Sequence, residues 1–545
     1  MRSHLQSVAT AAAIAGWAGT AAAQDHTLRP EQVLVVYDQR IASSLAVAEY
    51  YAGSAKVPGG AGNLPGVHPG VKVIDMGFWG PVAMTPDITY TQFKASFRTP
   101  LRTWLNTNDP LGRIRCIVLT KGIPHRIQDT DSPVIGDDPL NNINEFSAGD
   151  VNCASVDSEL SLLQMNLDNG ENGSRGDSYA DGMIINPYHD QSLPINAWPT
   201  RQRRNTRLFD WLLVTSPGTG VVARSRTVPS VQVLSPGDIY LVCRLDGHTV
   251  ADVFAMIDRA QQNVVNADAA VMVLDESRSN GAADTFPNAE LDNDDINDGA
   301  TSYMRIGDDF ERTRDQFLVD GRLAPTNILY NKDAAPAGYI VGPRINYGGG
   351  IVVSEPVAFV SSEATNTLGP PPGTSGQTLP LSFNWGPMGC YSSIESFNGR
   401  QFLGLSAWLG QSSIADALSV AGGAAFAVGN VYEPYAFTMP DSEVIARNFY
   451  RGRLSWAEAA WSSLPAISWQ QIVVGDPLAR VVLSCQDIDG NALWDANDLY
   501  AWEGTGVTAR TRDVNRSGAA DDADRRLVDP SPRPMDHVDM AGGQR

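Results

Sequence analysis

The sequence predicts an α/β fold, a mostly parallel sheet with helices on both faces. Three observations carry that expectation. Short apolar runs of strand length recur along the chain, at Val33–Tyr37 and at residues 114–119 (broken by Arg115 alone), 239–243, 269–274 and 424–428. Runs apolar throughout suit strands covered on both faces. Segments of helical period separate them, and polar residues stand just past several of them, where α/β sheets keep their sites.

Taken in order, the run 33–37 ends at Asp38 and leads into a helical stretch, 43–52. Residues 71–74 make a second strand. In 90–105, Phe93, Phe97, Leu101, Trp104 and Leu105 recur at three- and four-residue steps, which predicts a helix kinked at Pro100. Strand 114–119 is followed by Lys121 and His125, and 156–165 reads as a short helix. Strand 239–243 precedes Arg244 and Asp246, and Thr249 is placed to cap a helix over 250–264. Strands at 269–274 and 326–330 follow. The acidic stretch 284–298 and the Pro/Gly/Ser/Thr-rich stretch 361–380 read as exposed loops. Residues 386–399, polar and bounded by glycines, read as a loop before a helix near 415–421.

Residues 422–482 organise the rest. Strand 424–428 gives way to Asn430 and Glu433, helices at 442–450 and 455–463, then strand 469–474 and Gly475-Asp476-Pro477. Strand, helices and strand in that order predict a parallel crossover, with Asn430, Glu433 and Asp476 past strand carboxyl ends. With Asp38, Lys121, Arg244 and Asp246 they converge at one sheet edge if the strands are parallel. Such groups serve as acid, base or anion clamp, or form a structural ion-pair network, such as Arg244 with Asp246 or Glu433.

The formal net charge of -21 offers no basic surface for phosphates, so nucleic acid is excluded as the expected partner. Residues 1–23 run from Arg2 through a short apolar stretch to Ala21-Ala22-Ala23, the order of a signal peptide cleaved after Ala23. No other stretch has membrane-spanning length, so the expectation is a mature chain without a transmembrane segment, secreted, periplasmic or on the cell surface. Five cysteines, Cys116, Cys153, Cys243, Cys390 and Cys485, leave at least one unpaired, and none has CxxC spacing.

Six stretches, VLVVYD, CIVLTKGIPHRI, VDSEL, YLVCRLDGHT, GNVYEPY and SWQQIVVGDPL, span most of residues 30–482 in order. Together they resemble a family of exported bacterial proteins, found mainly in genomes with the PEP-CTERM sorting system, that has no established activity. A more distant likeness is to caspase-like cysteine peptidases of the gingipain type, whose His and Cys follow successive strands and form an acyl-enzyme. That likeness implies a hydrolase with His125 and Cys390 as its dyad. Here Arg126 follows the histidine where the peptidases usually have Gly. A caspase-like or a flavodoxin-like three-layer arrangement satisfies the pattern.

The C-terminal part carries its own signal. From 487 to 498, oxygen side chains stand at loop positions one, three, five, nine and twelve: Asp487, Asp489, Asn491, Asp495 and Asp498. Leu493 supplies a backbone carbonyl at seven. From 513 to 524 the pattern repeats with Asp513, Asn515, Ser517, the carbonyl of Ala519, Asp521 and Asp524. This is the spacing with which a loop wraps calcium in six or seven oxygens. The pair resembles a type I dockerin, which implies a helix after each loop and a cohesin-like extracellular partner. Ala492 replaces the usual Gly at position six of loop one. Ala496-Asn497 and Asp522-Ala523 stand at the partner-selecting positions without the usual hydroxyl pair. The expected organisation is signal peptide 1–23, α/β domain 24–484, a small α-helical calcium-loop module 485–530 and a disordered tail 531–545.

Overall fold

The apolar runs form the middle of a ten-stranded sheet. In chain order its strands are β1 (Val33–Tyr37), β2 (Lys72–Asp75), β3 (Cys116–Thr120), β4 (Leu241–Leu245), β5 (Val271–Asp275), β6 (Ile328–Asn331), β7 (Val357–Glu363), β8 (Trp385–Ile394), β9 (Phe426–Asn430) and β10 (Gln471–Val474). The order across the sheet is β6-β5-β7-β8-β9-β10-β4-β3-β1-β2. Every residue of β1, β3, β4, β5, β9 and β10 is buried, and each fully covered Val, Leu or Ile contributes roughly 1.5–3 kcal/mol. The strands at the two edges, β2 and β6, are only partly covered.

The computed structural model describes residues 27–529, except 61, 78–85, 129–152, 166–183, 199–210, 217–219, 226–235, 276–309, 320–322, 332–338, 347–348, 364–378, 403–411, 420–422, 435–437, 453, 484–485, 487, 490–495, 508–511, 513 and 515–518. The signal peptide, the acidic stretch 284–298, most of the 361–380 loop, Cys485 and the tail 531–545 lie outside the described residues. No described helix is long and apolar enough to cross a membrane.

Helices cover the sheet on both faces, as the sequence predicts. Among them are α1 (Ala42–Ala52), α2 (Thr99–Asn108), α3 (Val156–Ser161), α4 (Val250–Ala260), α5 (Ile414–Ala417) and α6 (Trp456–Ser462); a further helix, Phe310–Leu318, lies between α4 and α5 in the chain. Two more, α7 (Ala496–Glu503) and α8 (Asp522–Val528), belong to the C-terminal part. α1 packs on α4 through the Tyr50 and Phe254 rings, 4.1 Å apart. Trp461 of α6 donates its indole N–H to the Val242 carbonyl at 2.7 Å. Thr249 caps α4 as expected, its hydroxyl accepting from Asp252 N at 3.1 Å. The 90–105 helix is interrupted by a π-turn, Lys94–Arg98, and α2 then starts with Pro100 in its first turn. The turn that precedes Pro100 is wound i to i+5, and the helix runs on through the proline to Asn108.

Two expectations are corrected. The polar, Gly-bounded stretch 386–399 holds β8, paired to β7 and β9, with Cys390 opposite Phe359 and Phe426. The predicted parallel crossover from β9 to β10 is an antiparallel pair, with Ala427 opposite Val474 and Asn430 opposite Gln471. β10 meets β4 at one position, Arg244 opposite Val474, which is parallel in its local hydrogen bonding. Contacts beyond its ends show its net course. Gln471, at the start, bonds Asn430 at the carboxyl end of β9. Asp476, past the finish, is held by Tyr51 near the end of α1 and by His68, which precedes β2. β10 therefore descends from the carboxyl edge of its neighbours to the amino edge.

Candidate functional site

The carboxyl ends of β3, β4 and β8 meet at one edge, and the side chains there are mostly buried and paired. Arg244, at 0% exposure, has all three guanidinium nitrogens hydrogen-bonded. Its Nε and Nη2 bond Asp157 Oδ2 at 2.8 and 2.7 Å, Nη1 bonds the Ile123 carbonyl at 2.9 Å, and Nη2 bonds the Pro124 carbonyl at 2.6 Å. Asp246 lies 3.8 Å from Arg244 and 3.3 Å from Lys121 Nζ. Lys121 also donates to the Gly247 carbonyl and, at 3.4 Å, to that of Phe402, eight residues beyond β8. Burial raises the Asp157 pKa against the lowering pull of Arg244. The structure thus brings Lys121, Arg244 and Asp246 together, and adds Asp157 at the first turn of α3. With each Arg244 nitrogen bonded to Asp157 or to a loop carbonyl, the cluster is a brace between loops.

His125 sits beside this brace. Its Nε2 is 2.8 Å from the Arg400 carbonyl and its ring stands edge-on to Phe402. Burial, then the charges of Arg126, Arg244 and Arg400, hold its pKa well below the usual range. The ring is therefore neutral, and Nε2 is the donor that the carbonyl requires. Cys390 lies in the middle of β8, fully buried, with its thiol pKa pushed well up by burial. Its contacts are those of a core residue, and no hydrogen bond or ring contact joins it to His125. A nucleophilic cysteine needs thiolate and a base within reach; burial disfavours the thiolate here, and the hydrogen bond that His125 makes is to Arg400.

Other predicted residues separate. Asp476 is at the opposite edge, where Oδ1 accepts from Tyr51 at 2.6 Å and Oδ2 faces His68 Nε2 at 2.6 Å and Gln261 Nε2 at 2.9 Å. The antiparallel course of β10 carries it there. Glu433 is half-buried and makes no hydrogen bond or ion pair among the described residues. Asp38 pairs locally with Arg40 at 2.7 Å. Asn430 donates to the Glu395 carbonyl.

One pair at the carboxyl edge escapes sequence reasoning. His248 Nε2 is 2.5 Å from Asp416 Oδ1 on α5, and burial raises the Asp416 pKa. Its local signal is only a His two residues after Asp246. A cavity of about 330 Å³ opens elsewhere, among residues preceding β1 and β3, and contains none of the residues above.

Of the twelve expected calcium ligands, Asp489, Asp498, Ala519, Asp521 and Asp524 are described; Asp487, Asn491, Leu493, Asp495, Asp513, Asn515 and Ser517 lie outside the described residues. The two position-twelve carboxylates are both fully buried. Asp498, in the first turn of α7, accepts from Ile488 N at 2.7 Å and so closes back on the start of its loop. Asp524, in the first turn of α8, accepts from Asp521 N at 2.9 Å. The helices begin three residues earlier than the sequence suggests, α7 at Ala496 and α8 at Asp522. Asp521 causes this at α8, where its side chain accepts from Ala523 N as the N-cap.

Compared with known proteins, the chain matches no family model and no curated protein. A solved structure described as "Structure of Protease" superposes with a TM-score of 0.39 at 10% identity, covering 84% of this chain and 80% of its own. So low a score leaves the activity to be argued from this chain's residues.

Proposed function

We propose that this chain is an exported protein that docks outside the cell through a calcium-loaded C-terminal module, its α/β domain binding a ligand without cleaving it. The supporting observation is the burial of Asp498 and Asp524. They lie in a segment whose surroundings are otherwise largely exposed, at the two positions that close the loops. Backbone N–H groups of Ile488 and Asp521 already compensate part of each buried charge, and a cation would complete the compensation. A hard dication held by Asp487, Asp489, Asn491, the Leu493 carbonyl, Asp495 and Asp498, with the matching set of loop two, fits that donor chemistry. The ion would neutralise acidic loops that otherwise repel themselves. The dockerin likeness suggests a cohesin-like partner.

The alternative, a secreted cysteine peptidase built on His125 and Cys390, has their geometry against it. The histidine is spent on a carbonyl and the thiol lies inside a strand. Titration of the mature chain with calcium in a calorimeter tests the docking reading. Two sites are expected, and Asp498→Ala together with Asp524→Ala should remove both. Heat that is absent in the unmutated protein would defeat it.

A further inference from the structure

We infer that the cavity at the amino edge of the sheet binds a small organic carboxylate carrying an aromatic or branched apolar group. The site lies opposite the edge discussed above and does not depend on the docking reading. Its frame is rigid. Arg115 directly precedes β3, is 5% exposed, and bonds through its backbone N–H to the Gln32 carbonyl at 2.8 Å. Gln32 directly precedes β1, and its side-chain amide exchanges two hydrogen bonds, 2.6 and 2.7 Å, with that of Asn196. The turn Ile195–Ala197 and the ring of Trp198 form the facing wall, and Trp198 is itself packed 3.8 Å from the Tyr188 ring.

Charge and polarity define the ligand. Three of the ten lining residues are arginines, Arg29, Arg113 and Arg115, against one carboxylate, Glu31. Two buried carboxylates, Asp109 and Glu458, stand behind this lining and accept from the backbone of Arg113 and Ile195, so it is the lining side chains that are predominantly positive. Glu31 pairs with Arg29 at 3.2 Å, but both side chains are more than half exposed, so the pair is weak and open to exchange. Guanidinium groups favour planar oxyanions that accept two parallel hydrogen bonds. Leu111, Ile195 and Trp198 supply an apolar wall beside them, and exposed Leu111 gains by being covered. The volume, about 330 Å³, is at the small end of ligand sites. A carboxylate alone would waste the wall, and an apolar molecule alone would waste the arginines.

Calorimetric titration of the mature full-length chain with benzoate, acetate and benzamide tests this. Benzoate should bind saturably, with acetate and benzamide each weaker by about tenfold or more, since one lacks the ring and the other the charge. Arg113 is exposed, so Arg113→Gln should leave folding intact and weaken benzoate about tenfold. Trp198→Ala should weaken benzoate more than acetate. Arg344→Gln, a surface arginine outside the cavity, should change nothing. A dipeptide ending in free Phe, compared with its C-terminal amide, distinguishes a chain-terminal carboxylate from a free metabolite as the source. Absence of saturable benzoate binding would overturn the inference. So would equal binding of benzamide, or benzoate affinity unchanged in Arg113→Gln.

Discussion

His68 and Asp476 face each other 2.6 Å apart with the carboxylate fully buried, and their charges set a pH window. Burial works to lower the His68 pKa, but the charge and hydrogen bond of Asp476 prevail and raise it. Burial works to raise that of Asp476, but His68, Tyr51 and Gln261 prevail and lower it. Stabilisation from a raised histidine is complete below its unfolded value, near 6.5, and is lost as pH rises through the folded one. Stabilisation from a lowered carboxylate is complete above about 3.8 and is lost as pH falls through its folded value. The pair therefore stabilises most between about pH 4 and 6.5. His68→Gln should cost about 1–3 kcal/mol near pH 5.5 and much less above pH 8. Urea unfolding across that range checks it, and a loss independent of pH would refute the charge argument. This pair was not legible, because the sequence places Asp476 at the edge of Lys121 and Arg244. Those two, with Asp246, were legible as polar residues past apolar runs. His248 and Asp416 stand 168 residues apart, and no local pattern joins them.

At the scale of elements, continuous apolar runs announced β1, β3, β4, β5, β9 and β10, because a strand covered on both faces has no polar side to show. β7 and β8 were hidden for the opposite reason. Their buried faces carry Ser361, Ser362, Ser392 and Ser393, and β8 opens with Gly386, Pro387 and Gly389. Met388 takes a φ of 55°, and the β7–β8 register slips between Val357 and Phe359. The direction of β10 was equally hidden, since helices between two strands fit either sense of pairing once the connection is long. Its end is fixed by Gly475, whose φ of 132° suits glycine alone. A Cβ there would stand 2.6 Å from Phe426 Cδ1 and 3.0 Å from the Ala425 carbonyl. Gly475→Ala combines that clash with backbone strain and should cost about 2–4 kcal/mol. A fall in the urea midpoint with unchanged slope is the expected reading, and a change below about 0.5 kcal/mol would mean the turn adapts.

Across the whole molecule the strand order repeats. β2-β1-β3-β4 on one side and β6-β5-β7-β8 on the other share one connectivity, with β9 and β10 between them. No repeat shows in the sequence, since connectivity constrains where apolar runs fall and not which residues fill them. Residues His26–Pro530 form one compact unit by contact, yet the C-terminal part has little core of its own. Between 486 and 529, Ile488 and Val528 are the only buried apolar side chains among the described residues. What joins its helices is polar, Arg525 to Glu503 at 2.6 Å and Gln486 to the Leu527 carbonyl at 2.7 Å. Four aspartates give loop one a charge of -4, and four with Arg516 give loop two -3. On the proposed reading, so little core and so much like charge leave the segment dependent on a cation, whereas the sheet domain has a large core of its own. Scanning calorimetry of the mature chain in EGTA should show one large transition from the α/β domain. Calcium should add a second, of roughly 30 kcal/mol from ~0.7 kcal/mol per residue, and leave the large one in place. Its midpoint should climb with calcium, as binding to the folded form alone requires. A calcium shift of the large transition would mean that the two parts fold as one. An identical scan in EGTA and calcium would mean that the loops bind nothing.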